Sequence, residues 1–303
     1  MNKTSQAVLA ALLLAGTSFT ARHPAQAQIL GDPNTSITGD TIYVEEESVD
    51  LTMPGHNGLT INGAMGLPLN PTAQMPVKGS ARVQVNYYKL WDNGGPSAGA
   101  NSKLYGVYAA AAITERLEVS AGLEKQSVSA SGVNASAIED AFDKSGIALG
   151  VKYLVNKPSR PGDVRVAIGA GVSKALYNNT HVYAVASKGF NARGRIITGH
   201  VGARWDRFKV NQSAVSSKVE SSKASAFGGV EVPIDRKGRF SVVGEIQSRN
   251  TEDDLGDGMP YSLSVRFQNE QGLSANVGFM RQGVLSGIVS DDGGLFAQIG
   301  KTF

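Results

Sequence analysis

Residues 116–124 read RLEVSAGLE, and their alternation decides the fold. Leu117, Val119, Ala121 and Leu123 fall on one side of an extended chain, with Glu118, Ser120, Gly122 and Glu124 on the other. A strand sends successive side chains to opposite faces, so this stretch requires an apolar environment on one side and a polar one on the other. Residues 163–173 (DVRVAIGAGVS) and 261–268 (YSLSVRFQ) repeat the pattern.

Working outward, a period of two divides the chain from Ser80 onward into about twelve runs. They cover 80–91, 102–113, 116–126, 146–155, 163–173, 180–190, 195–205, 224–234, 239–248, 261–268, 273–282 and 294–303. Most have the ~9 to 12 residues that a tilted strand needs to cross a bilayer. The sixth and eighth, THVYAVASKGF and ASAFGGVEVPI, alternate poorly. Connections after the second, sixth, eighth and tenth runs are brief, and the one after the fourth is slightly longer. Those after the first, third, seventh, ninth and eleventh are long, and only the fifth, 174–179, breaks the rule. Short turns at one end and long loops at the other characterise outer-membrane barrels, whose short end is periplasmic. The expected fold is therefore all-β, a closed antiparallel transmembrane β-barrel of about twelve strands behind a mostly irregular N-terminal segment.

The start of the chain agrees with export. MNKTSQAVLAALLLAGTSFTARHPAQA carries Lys3, an apolar stretch from Ala7 to Gly16, and small residues at Ala25 and Ala27, so residues 1–27 are expected to be a signal peptide. Its apolar stretch is short for a spanning helix, and no later segment of the 303 residues is apolar enough for one. Removing Lys3 and Arg22 leaves basic and acidic residues nearly balanced. No Lys/Arg run marks a nucleic-acid surface, and the absence of cysteine argues against a disulfide scaffold. The apolar fraction is ordinary, 41%, and the one route into a membrane that remains is a closed β-barrel, which needs just alternate residues to be apolar.

Parity assigns side chains to faces. The expected lumen receives Arg82, Gln84, Asn86, Glu118, Glu124, Lys152, Arg165, His200, Arg204, Glu231, Glu245, Gln247, Arg266 and Asn276. Two readings of this set are open. The charges pair into a network that fills the barrel, or they line a small hydrated pore with weak ion preference, since neither sign dominates. Trp91, Tyr105, Trp205 and Tyr261 fall at the outer rim and Tyr153, Phe240 and Phe303 at the inner rim, an aromatic girdle at each interface. Lys89 and Lys301 lie two residues from Trp91 and Phe303, placed to snorkel toward headgroups.

Residues 28–79 differ in composition, with Glu45, Glu46, Glu47, Asp50 and prolines at 33, 54, 68, 71 and 76. They form either a plug in the lumen or a periplasmic segment, and the barrel proper occupies 80–303. Enzyme chemistry finds little support: there is no G-x-S-x-G, H-E-x-x-H or C-x-x-C, and His200 reads as a lumen hydrogen-bonding residue. No catalytic residue, metal site or cofactor is expected. The acidic stretches NTEDDLGDG (250–258) and SDDGG (290–294) face outward without the spacing of an EF-hand.

The final residues LFAQIGKTF resemble the C-terminal signature of Gram-negative outer-membrane β-barrel proteins, porins among them. That resemblance implies an outer-membrane location and recognition of Phe303 by the barrel-assembly machinery. Upstream, NGLTINGAMGLPLNPTAQMPVKGSARVQVNYY is similar to the opening of YjbH-like barrels, in its Gly63, Gly66, Pro71, Thr72, Ala73 and Gly79. This second likeness implies a link to exopolysaccharide production. The leading expectation is a small passive, porin-like channel. The alternative is a non-conducting structural or accessory barrel tied to the envelope, and an outer-membrane enzyme comes third. Expected partners are outer-membrane lipid, surface glycolipid, the assembly machinery, and small solutes or ions.

Overall fold

The computed structural model describes residues 58–90, 101–129, 136, 144–156, 158, 163–174, 177–192, 195–210, 219–235, 238–249, 259–282 and 293–303. Twelve strands form a closed antiparallel barrel in chain order, with β1 paired to β12. They are β1 (Ala81–Leu90), β2 (Asn101–Ala112), β3 (Leu117–Ser129), β4 (Lys144–Leu154), β5 (Arg165–Lys174) and β6 (Tyr177–Ala192). The circuit continues through β7 (Arg195–Val210), β8 (Val219–Pro233), β9 (Phe240–Gln247), β10 (Tyr261–Gln268), β11 (Leu273–Arg281) and β12 (Gly294–Thr302). Residues 1–57, which include the expected signal peptide, lie outside the described residues, as do Trp91 and both acidic stretches apart from Gly293 and Gly294.

Closure leaves no open edge, because every strand finds two neighbours. At the seam the register runs from Arg82 opposite Thr302 to Leu90 opposite Gly294. Beyond it Phe303 and Ala81 exchange backbone hydrogen bonds of 2.8 and 3.2 Å.

The two faces differ as the alternation requires. Val85, Leu149, Ile168, Val201, Leu263, Val277 and Ile299 are exposed on the outside. Side chains of opposite parity, Arg82, Gln84, Asn86, Glu118, Lys152, Arg266 and Gln298 among them, are buried inside. A soluble protein would bury the first set and hydrate the second, so this inversion defines a transmembrane wall. Tyr105, Tyr153, Trp205, Phe240, Tyr261 and Phe303 all expose their rings outside. Unexpected partners join them: Tyr87 meets Tyr105 at 5.4 Å, Phe267 meets Phe240 at 5.1 Å, and Phe279 meets Tyr261 at 6.0 Å between ring centroids.

The wall is uneven in height. β6 and β7 each have 16 residues and β8 has 15, against 8 in β9 and β10. The sixth and eighth runs, which alternate poorly in sequence, therefore belong to the longest strands. The seventh connection is 211–218 rather than 206–223, and the fifth shrinks to 175–176. Past Trp205, the outward Arg207 and Lys209 pair with Glu220 at 2.5 and 3.3 Å. Such half-exposed ion pairs suit a lip standing above the apolar belt, where water is available. At the opposite rim the Lys301 ammonium donates to the Gln271 carbonyl in the β10–β11 turn.

Candidate functional site: a lumen occupied by residues 58–76

The interior is not empty. Residues 58–76 fold into a compact knot inside the barrel, with Leu59, Met65, Leu67, Asn70, Thr72 and Ala73 wholly or almost wholly buried. Isolated bridges join Leu59 to Met65 and Gly66 to Pro71. Backbone bonds from Thr60 to Ala64 (2.7 Å), Ile61 to Pro68 (2.8 Å) and Leu67 to Asn70 (2.9 Å) complete it. Gly66 is required at its position: a Cβ there would lie 2.4 Å from the Asn70 carbonyl oxygen and 2.7 Å from Pro71 Cα. The chain then leaves through the exposed turn at Val77–Ser80 and enters β1.

A segment without regular structure cannot satisfy all its own backbone groups, and in a dry interior each unpaired group is costly. The wall supplies the partners. Gln84 on β1 accepts from Leu59 N–H (2.9 Å) and donates to Leu59 O (2.8 Å). Glu118 on β3 accepts from Met65 N–H (2.8 Å), and Lys152 on β4 donates to Met65 O (3.1 Å) while pairing with Glu118 at 2.7 Å. Glu245 on β9 accepts from Leu69 N–H (2.7 Å) and from Asn70 through both its backbone (3.0 Å) and its side-chain amide (3.1 Å). Ser187 on β6 accepts from Ala73 N–H (2.9 Å), and Arg266 on β10 donates to Gly66 O (3.4 Å). From β12, Gln298 donates to Leu59 O (3.3 Å). The attachments go right round the wall.

Three apolar clusters reinforce them. Ala73 and Met75 pack with Leu154, Ala167, Tyr183, Val185 and Phe227. Leu59 and Met65 pack with Tyr108, Ala110 and Ala148. Leu69 packs with Tyr88, Met280 and Phe296. The first cluster explains why the sixth and eighth runs alternate poorly, since Tyr183, Val185 and Phe227 are inward-facing apolar residues that cover the knot.

Of the side chains assigned to the lumen, Arg82, Gln84, Asn86, Glu118, Glu124, Lys152, His200, Arg204, Glu231, Glu245, Gln247, Arg266 and Asn276 are buried within the barrel. Arg165 is partly exposed at the inner rim. They do not make one site. Gln84, Glu118, Lys152, Glu245 and Arg266 hold residues 58–76, and Glu231 anchors Arg266 at 2.9 Å. Glu124 instead accepts hydrogen bonds from Tyr108 (2.9 Å) and Ser173 (2.6 Å), and Arg82 donates to Thr302 (3.0 Å) and Ser274. His200 Nδ1 lies 2.8 Å from Ser187 Oγ. The Ser187 hydroxyl also accepts from Ala73 N–H, so among the described residues the His200–Ser187 pair is part of the wall's hold on the knot.

Arg204 belongs to a separate group toward the outer end, with Asp206 (2.5 Å) and with Asn179 reaching Asp206 (3.4 Å). His181 and Tyr183 stack beside it at 6.2 Å. Asp206, Asn179, His181, Tyr183, Tyr88, Tyr108 and Gln298 are lumen residues that the initial assignment omits. Parity places each of them inward as well.

No protein-family model matches this chain, and no curated protein matches it. Among solved structures it is similar to an outer-membrane channel from Pseudomonas putida F1, at 14% identity and a TM-score of 0.46, over 74% of this chain and 96% of that one. It is also similar to the NanC porin, at 11% identity and a TM-score of 0.44 over 74% and 98% of the two chains. The KdgM porin follows at 9% identity and a TM-score of 0.40, over 73% and 98%. The class of the protein is that of its wall: a closed, twelve-stranded antiparallel β-barrel with an apolar outer face and a polar inner one. Residues 58–76 are docked inside that wall.

Proposed function

We propose that the protein is a passive channel for small solutes or ions whose conductance is governed by residues 58–76. The observation that carries this reading is the manner of docking. The knot is held to β1, β3, β4, β6, β9, β10 and β12 by side-chain hydrogen bonds, while its only covalent tie to the wall among the described residues is the turn before β1. Each attachment of this kind contributes only ~0.5–1.5 kcal/mol net, and none of them is part of the strand pairing that closes the wall. Besides the apolar clusters, the inward face of the wall carries Gln126, Ser173, Ser225, Gln247, Ser262 and Ser264, so displacement of the knot would leave a partly polar passage.

One feature favours the alternative, a non-conducting accessory barrel: the apolar clusters that cement the knot. Planar-bilayer recordings separate the two. The channel reading expects small or rare steps from the intact protein and larger, frequent steps after deletion of residues 28–76. Silence from both proteins, each shown to be folded by its altered gel migration before boiling, would overturn the channel and leave the accessory barrel.

A further inference from the structure

The outer surface of β1, β2 and β3 carries an arrangement that a plain lipid-facing wall does not explain. Lys89 and Lys103 are directly opposite each other in the β1–β2 register and share the outward face. Like charges directly across a strand pair repel and destabilise it. Among the described residues neither lysine meets a carboxylate, unlike Arg207 and Lys209, which share Glu220 on the far wall. One step down, Tyr105 stands opposite Tyr87 on one side and Lys125 on the other.

Immediately below, the wall is dented. A groove of about 430 Å³ opens to the outside between Val85, Val107, Leu123 and Ile147, with Tyr105 and Lys125 at its upper edge. Its apolar sides suit hydrocarbon, while the lysines above it suit a multiply charged anion at the level where headgroups begin.

We infer that this surface is a binding site for a phosphorylated lipid of the outer leaflet, with one acyl chain in the groove and a phosphate between Lys89 and Lys103. The phosphate removes the repulsion between the two ammonium groups, and Tyr87 and Tyr105 cover the junction of chain and headgroup. The inference rests on the long connections facing outward, and it is independent of whether the lumen conducts.

The test uses the full-length folded protein in detergent and a diphosphorylated lipid A, with its dephosphorylated form as comparison. Native mass spectrometry should show the phosphorylated lipid retained by the parent protein, and K89Q/K103Q/K125Q should weaken retention about tenfold or more. R207Q/K209Q, which removes two outward cations on the far wall, should leave retention unchanged. Unheated gel migration shows which variants are folded. Because retention by the parent is read without any mutation, its absence overturns the inference even if the triple variant fails to fold. Equal retention of the two lipids overturns the phosphate contact, and equal loss in the two variants overturns the site.

Discussion

Glu245 shows how much one inward carboxylate can do. It accepts hydrogen bonds from Leu69, from Asn70 and from the Ser262 hydroxyl (2.7 Å), linking β9 to residues 175 and 176 positions earlier in the chain. Replacing it with alanine strands the knot's donors, at ~1–3 kcal/mol for each that water does not reach. Glu245→Ala should therefore leave the barrel folded, increase protease cleavage within residues 58–76, and raise conductance toward that of the deletion. A variant as resistant and as quiet as the parent would show that the apolar clusters alone hold the knot. Tyr108 is the second informative residue. Its ring lies against Gly106 on its own strand and Gly122 on β3, where an added Cβ would come within 2.3 Å, and its hydroxyl donates to Glu124. Gly122→Ala should push the ring away and lower stability by ~1–3 kcal/mol. The check is the temperature at which the unheated gel form converts to the boiled one.

At the level of elements, alternation located nearly every strand because one face meets hydrocarbon and the other a polar interior. Its lapses have a physical cause. β6 and β8 turn Tyr183, Val185 and Phe227 inward to cover the knot, so both faces of these strands are apolar and the period fades. Strand ends were harder to read on β6–β8, because above the bilayer no solvent difference enforces alternation. The seam between β1 and β12 is the element on which closure depends, and Phe303 sits at its inner end, paired through its backbone with Ala81. If the assembly machinery reads Phe303, as the C-terminal likeness implies, Phe303→Ala should slow the appearance of the heat-modifiable form and leave single-channel conductance unchanged. Normal assembly of that variant would remove Phe303 from the recognition step.

For the whole molecule, the decisive relation is between wall and content. The lumen charges expected either to pair or to line a pore do several things at once. Lys152 with Glu118 and Arg266 with Glu231 pair and also grip the knot, whereas Arg204 pairs with Asp206 nearer the outer end. In the deletion lacking residues 28–76, replacing Arg82, Arg165 and Arg204 together with glutamine should shift the reversal potential toward cation preference. Unchanged selectivity would mean that these arginines remain neutralised by neighbours and do not face permeating ions.

The sequence by itself determined the class of fold, the near-complete strand order, and which side chains point inward. Those properties follow from a local period of two and from loop lengths, both of which are written along the chain. It left open whether residues 28–79 fill the barrel or hang below it. Tertiary structure decided that for residues 58–76, because their backbone groups find partners on Gln84, Glu118, Ser187, Glu245 and Gln298, far apart in the chain. An irregular segment has no periodicity to betray its environment, and its stability comes from acceptors that only barrel closure brings together.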